Sequence, residues 1–348
     1  MNKLEENLVD YNSLSPLELK KYEAIYDKNL KDFSRLIDNL SSRYKEDLSW
    51  MVQSVLSKNK SLTNIYFEYC RIEILKKRLK KNIYNKIIVN NITQKKLITD
   101  NFNNNYSLRF IIKNKTTDTF LRIIKNLILN IKFAFILYIN KSTARKINFL
   151  KNDNITIIEN FLYLRKRKKN YVDRYYGNLL SFIKKKNSSI FFLFQVLNLN
   201  RLKHQVSLIK NSKINFITIF DFLKLSDYIN AIIKIHKFKK IKSKKIIYKD
   251  IKLTSLFYDE YKKTFNDLNA YNGMLQFLFF KRLKKEIEIN KIKHVVDWYE
   301  NQSIDKGFNL GLNLFFPHVK TIGYQAYAVD YNYYCHLLPS KGEIKNKL

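Results

Sequence analysis

The sequence predicts an α/β fold with a mostly parallel sheet, and three observations carry that expectation. Segments of helical spacing alternate with short apolar runs. One such run, Ile190 to Val196 (IFFLFQV), reads as a strand buried on both faces, and residues 294–327 parse as strand, loop, helix and strand.

Taken in order, residues 16–40 show helical spacing behind a Ser15-Pro16 start, which suits a helix with proline at its first position. The spacing makes residues 1–45 an appended helical segment, followed by one domain over 46–348. From Asn64 to Leu79 a helix places Ile65, Tyr69, Ile72, Leu75 and Leu79 on one face, and Lys86 to Val89 follows as a strand. Tyr175 to Ile183 reads as helix before the Ile190 strand. Ile214 to Ile219 gives a further strand and Asp221 to Ile235 a further helix. Between these units lies a basic, largely helical insertion at about 113–169, with 14 basic and 3 acidic residues. There Ile123, Leu127, Ile131 and Phe135 interleave with Lys125 and Lys132, a pattern that suits either a core-packed helix with a charged outer face or a helix lying in an anionic lipid interface. A second run, Lys234 to Lys249, holds eight lysines and no acid and reads as a loop.

The 348 residues carry a net charge of +35, distributed unevenly, since residues 1–50 contain 8 basic and 10 acidic side chains. Such charge points to nucleic acid or an anionic membrane surface. Lysine outnumbers arginine 53 to 12, however, and an excess of Asn and Ile accompanies it, as AT-rich codon usage dictates. Scarce arginine argues against a specific nucleic-acid reader, because bidentate recognition of bases and phosphates relies on the guanidinium. Cys70 and Cys335 alone make neither a disulfide framework nor a zinc site, so no metal and a reducing, cytoplasmic compartment are expected. Residues 1–10 lack the apolar stretch of a signal peptide. The most apolar segment, 120–139, contains Arg122, Lys125 and Lys132, too many charges for a span of ~18 apolar residues, so any membrane contact is expected to be peripheral, on the inner face.

Five of six glycines and two of three prolines fall after residue 270, which concentrates turn chemistry at the C-terminal end. The segment HVVDWYENQSIDKGFNLGLNLFFPHVKTIGYQAY, His294 to Tyr327, places a strand at Val295 to Trp298, a helix through Ile304, Phe308, Leu312 and Phe315, and a strand at Val319 to Gly323. A strand–helix–strand unit of this length is right-handed and parallel, so both strands finish at one edge of the sheet, where open α/β sheets bind ligands. Tyr299, Glu300, Asn301 and Gln302 should therefore meet Tyr324, Gln325 and Tyr327. Glu300 is the carboxylate expected at the strand exit. Asn301, Gln302 and Gln325 offer donors and acceptors to sugar hydroxyls, and Trp298, Tyr299, Tyr324 and Tyr327 offer faces for stacking. Asp305 or Ser303 should cap the helix. Gly307, Gly311 and Gly323 read as markers of the same site.

WYENQSIDKG, followed by PHVKTIGYQ and LLPSKGE, resembles a family of bacterial surface-carbohydrate biosynthesis proteins that are similar in turn to GT-B glycosyltransferases, built from two Rossmann-like domains. Ser49 to Arg71 and Val172 to Leu180 (VDRYYGNLL) resemble earlier landmarks of that family. The resemblance implies a Rossmann-like, acceptor-side half of a GT-B fold, joining a sugar from a nucleotide-sugar donor to a glycan or lipid-linked glycan acceptor. Glu300 would be the general base, and no other cofactor is implied. The chain departs from the family in having Tyr324, Gln325 and Ala326 where related branches place a histidine. It also ends shortly after Glu343, so the donor-binding half is expected from a separate or downstream chain. The alternatives are a basic nucleic-acid-binding protein and an inactive remnant of an interrupted transferase gene.

Overall fold

A computed structural model describes residues 7–41, 47–57, 63–81, 84–102, 106–114, 119–162, 173, 175–177, 189–196, 202–211, 214–237, 245–264, 268–300 and 302–324. Two parallel sheets organise them where the sequence led us to expect one.

The first sheet has the order β1-β2-β3, from Leu8–Asp10 (β1), Lys86–Val89 (β2) and Arg109–Ile112 (β3), all parallel. Helix α1 (Pro16–Ser41) opens on a reciprocal cap in which the Ser15 N–H donates to the Glu18 carboxylate at 2.9 Å and the Glu18 N–H to Ser15 Oγ at 3.4 Å. It is built into the core rather than appended. Tyr26, Phe33, Ile37 and Leu40 are buried with the face of α3 (Ile65–Lys81) that the spacing singled out, Ile65, Tyr69, Ile72, Leu75 and Leu79. Between them comes the short helix α2 (Leu48–Met51), and α4 (Ile92–Phe102) connects β2 to β3.

The second sheet follows α5 (Thr119–Ile139) and α6 (Thr143–Leu150). Its strands are β4 (Ile155–Phe161), β5 (Ser189–Gln195), β6 (Phe216–Ile217), β9 (Ile292–Trp298) and β10 (Lys320–Tyr324), in the order β10-β9-β4-β5-β6 and all parallel. The strand expected over 214–219 is confined to Phe216–Ile217, because a 3-10 turn over Ile219–Asp221 ends it. Helices α7 (Leu202–Asn211) and α8 (Leu225–Lys237) flank β6 in sequence. The hairpin β7 (Ile247–Tyr248) and β8 (Ile251–Lys252) and helix α9 (Thr254–Thr264) return to the first core, burying Tyr248, Ile251 and Phe257 there. Residues 245–252 therefore form this hairpin and its approach where a basic loop was expected, and residues 238–244 lie outside the described set. So do residues 178–188, which include most of the helix expected at Tyr175 to Ile183.

Helices α10 (Leu268–Leu283) and α11 (Ser303–Phe315) pack along each other beside the larger sheet. Their approach is set by glycine: a methyl on Gly307 would overlap the carbonyl of Gly273, and one on Gly311 would lie 3.0 Å from the Phe277 Cα. Gly307 and Gly311 are thus packing residues of a helix pair, which corrects their reading as markers of the site. The segment around α2 joins the two cores, since Leu48 and Val52 point into the larger and Trp50 and Met51 into the smaller.

Candidate functional site

The second sheet grows from β4 toward β5 and β6 on one side, whereas β9 and β10 lie on the other. The order therefore reverses between β4 and β9, and at such a switch point the connections diverge and open a crevice beyond the C-terminal ends of the strands. Chemistry-bearing side chains sit at these ends. They are Glu159 and Asn160 on β4, Gln195 on β5, and Asp297 and Trp298 on β9, all buried.

Glu159, Asp297 and Asp305 bring one carboxylate oxygen each within 4.8 Å of one another. Glu159 accepts from Gln195 Nε2 at 2.6 Å and from the Trp298 N–H at 3.1 Å. Asp297 accepts from Asn309 Nδ2 at 2.6 Å. Asp305 caps α11, accepting the backbone N–H groups of Glu300 at 2.8 Å and Gln302 at 2.9 Å. Burial pushes the Glu159 and Asp305 carboxyls well above the usual range, and the neighbouring Asp297 charge adds to both. Burial raises Asp297 as well, while hydrogen bonds from Glu159 and Asn309 oppose the rise. Burial therefore favours protons on this group, and Glu159 and Asp297 titrate as a pair. Among the described residues this triad is the one donor set placed to hold a metal ion.

Above the triad lies an aromatic cluster. The Trp298 indole meets Tyr175 with ring centroids 4.5 Å apart, Phe161 at 5.8 Å, Tyr324 at 6.0 Å and Tyr176 at 6.1 Å. Asp173 holds the tyrosine pair by accepting from the Tyr176 N–H at 3.0 Å and from Asn160 Nδ2 at 3.0 Å. The Tyr176 hydroxyl donates to the Glu159 carbonyl and the Tyr324 hydroxyl to the Tyr175 carbonyl at 2.9 Å.

The expected meeting of the two strand exits is present for the described residues: the Tyr299 N–H donates to the Tyr324 carbonyl at 3.1 Å. Glu300 is half-buried. One of its oxygens accepts from the Trp298 indole N–H at 2.6 Å and the other from Gln302 Nε2. Asn301, Gln325 and Tyr327 lie outside the described residues. A groove of about 500 Å³ runs beside β10, lined by Asp297, Tyr299, Asn309, Asn313, Lys320, Thr321 and Gly323, and it brings Asp297 to the edge of open space.

Glu300 is therefore not the sole carboxylate at the strand exits. Sequence reasoning missed Glu159, Asp297 and Asp305 as a group, and with them Gln195, Tyr175 and Tyr176. The available signal was polarity in the wrong place: ITIIENF carries Glu159 and Asn160, and IFFLFQV carries Gln195, near the C-terminal end of otherwise apolar strands, where parallel sheets bind ligands. No protein-family model, curated protein or solved structure matches this chain.

Proposed function

We propose that this chain is a glycosyltransferase-like protein of bacterial surface-polysaccharide biosynthesis, and that the switch-point edge of its five-stranded sheet receives the carbohydrate acceptor. The observation that carries the reading is the Trp298–Glu300–Gln302 arrangement at the exit of β9. A half-buried carboxylate is held by an indole N–H and an amide, beside an aromatic wall and next to Tyr324. Sugar recognition needs this combination, since planar polar groups address hydroxyls while aromatic faces cover the C–H side of the ring. The Val172 to Leu180 stretch supports the same reading from a distant part of the sequence, because its Tyr175 and Tyr176 pack on Trp298.

In this mechanism Glu300 accepts the proton of the attacking acceptor hydroxyl, with two fixed donors keeping its oxygens aimed. Each oxygen retains a lone pair for the substrate. The nucleotide-sugar donor supplies the glycosyl group, and Asn301, Gln325 and Tyr327 are proposed to complete the acceptor contacts. Glu300→Gln should leave the melting temperature within a few degrees of the parent and abolish surface-glycan complementation, since the amide keeps the shape but takes no proton. Full complementation by a well-expressed variant would remove Glu300 from the mechanism.

A further inference from the structure

The outer face of α5 is apolar where a water-facing helix should be polar. Ile124, Ile128, Ile131, Phe135 and Tyr138 recur at intervals of four, three, four and three residues, one stripe of a helix, and all are exposed. Phe135 is 62% exposed and Ile128 57%. The helix is not turned inside out, because Asn130, Phe133, Ala134 and Leu137 on the other side are buried, the apolar ones in the larger core. Helix α8, which touches α5, repeats the arrangement: Leu225, Ile229 and Ile233 are exposed at intervals of four, while Tyr228, Ala231 and Ile235 are buried. The Tyr138 and Tyr228 rings join the two helices edge to face, with centroids 6.5 Å apart.

The exposed charge that edges this surface is basic, since Asp227 of α8 is buried in a pair with Arg282. Residues 119–152 hold seven Lys or Arg and no Asp or Glu, and of these Arg145 is paired with Asp221 and Lys146 with Glu286. Lys125 and Lys132 are exposed one step around the helix from the stripe, and Lys224 and Lys234 flank the stripe of α8. An apolar stripe edged by lysines complements a bilayer whose surface is anionic and whose interior is apolar. No described helix is long and apolar enough to cross a membrane, so the contact is one of lying on the surface.

We propose that α5 and α8 form a platform that docks on an anionic lipid bilayer, with Ile128, Ile131 and Phe135 entering the headgroup–acyl boundary and Lys125 and Lys132 meeting lipid headgroups. The platform is assigned from surface residues alone and stands independently of the carbohydrate site. A lipid surface is favoured over a second copy of the chain because a protein carrying +35 charges repels itself.

The test is co-sedimentation of the full chain with vesicles of phosphatidylcholine alone and of phosphatidylcholine with phosphatidylglycerol, beside analytical ultracentrifugation without lipid. The expected result is binding to the anionic vesicles only, weakened by salt and lost in Phe135→Asp and Ile131→Asp at unchanged melting temperature. Lys125→Ala and Lys132→Ala should each weaken binding roughly fivefold. Leu17→Asp, at an exposed position on α1, should bind like the parent. Equal binding to neutral vesicles, binding that survives both aspartate substitutions, or a dimer in solution that Phe135→Asp dissolves would each overturn the proposal.

Discussion

Glu159 and Asp297 lie one residue beyond the Ile158–Val296 pair of two adjacent parallel strands, and they are both buried, with carboxylate oxygens within 4.8 Å of each other. Two carboxyls this close cannot both ionise in a low-dielectric site, so folding raises their affinity for protons. A raised carboxyl binds more protons in the folded chain than in the unfolded one, and stability falls as pH climbs from the unfolded value toward the folded one. The melting temperature should therefore decline as pH rises above about 4.5. Glu159→Gln, which keeps the hydrogen-bonding shape without the ionisation, should flatten that decline and melt higher than the parent near neutrality. A parent whose melting temperature rises steadily from pH 5 to 8 would contradict the raised proton affinity of these carboxyls.

The same triad offers a divalent cation three carboxylate oxygens within 4.8 Å of one another. If it does, added Mg²⁺ or Mn²⁺ should raise the melting temperature of the parent and leave that of Asp297→Asn unmoved. Equal shifts in both would place any ion elsewhere.

Gly307 and Gly273 fix how closely α10 and α11 approach. Gly307→Ala should destabilise the chain by about 1–3 kcal/mol, measured by urea unfolding, because backbone stands where the methyl would go and a helix must shift. Gly323→Ala is the contrast: its methyl would meet Tyr299 Cβ at 3.5 Å, an ordinary contact, and stability should barely change.

Arg145 and Asp221 form a buried fork-like pair, with Arg145 Nε donating at 2.9 Å and Nη2 at 2.6 Å. Asp221 also accepts from Thr218 and from the Ser142 N–H, which ties α6 to the turn after β6. Arg145→Met should cost about 3–5 kcal/mol in urea unfolding, because it strands a buried carboxylate. The double change Arg145→Met with Asp221→Asn should recover part of that loss.

What was legible in the sequence follows from how each element is specified. The β2 strand, the face of α3 and the β9–α11–β10 unit were readable because their apolar spacing is strong and continuous. The β1 strand was not, since three residues, Leu8–Asp10, give no period and acquire their pairing from β2, some 80 positions away. The β7–β8 hairpin was hidden because Lys249 and Asp250 adopt the positive φ of its two-residue turn, at 45° and 66°, without the usual Asn-Gly signature. The site was half visible. Trp298, Glu300 and Tyr324 lie within one local unit, but Glu159, Gln195 and Tyr175 join them only through the order of the sheet, and that order is a tertiary property.

The most direct test of the proposed carbohydrate site uses the two tryptophans of the chain. Trp50 is buried in the smaller core and Trp298 in the larger one, where its indole N–H donates to Glu300 of the proposed acceptor site, so a Trp50→Phe background leaves Trp298 as the sole indole reporter. Its fluorescence should be followed while hexose, N-acetylhexosamine and uronic-acid oligosaccharides are titrated in, with single-stranded and duplex DNA as competitors. The expected result is a saturable change with at least one carbohydrate class, abolished by Glu300→Ala and unaffected by DNA. Silence toward every carbohydrate, together with a saturable and salt-sensitive response to DNA, would contradict it.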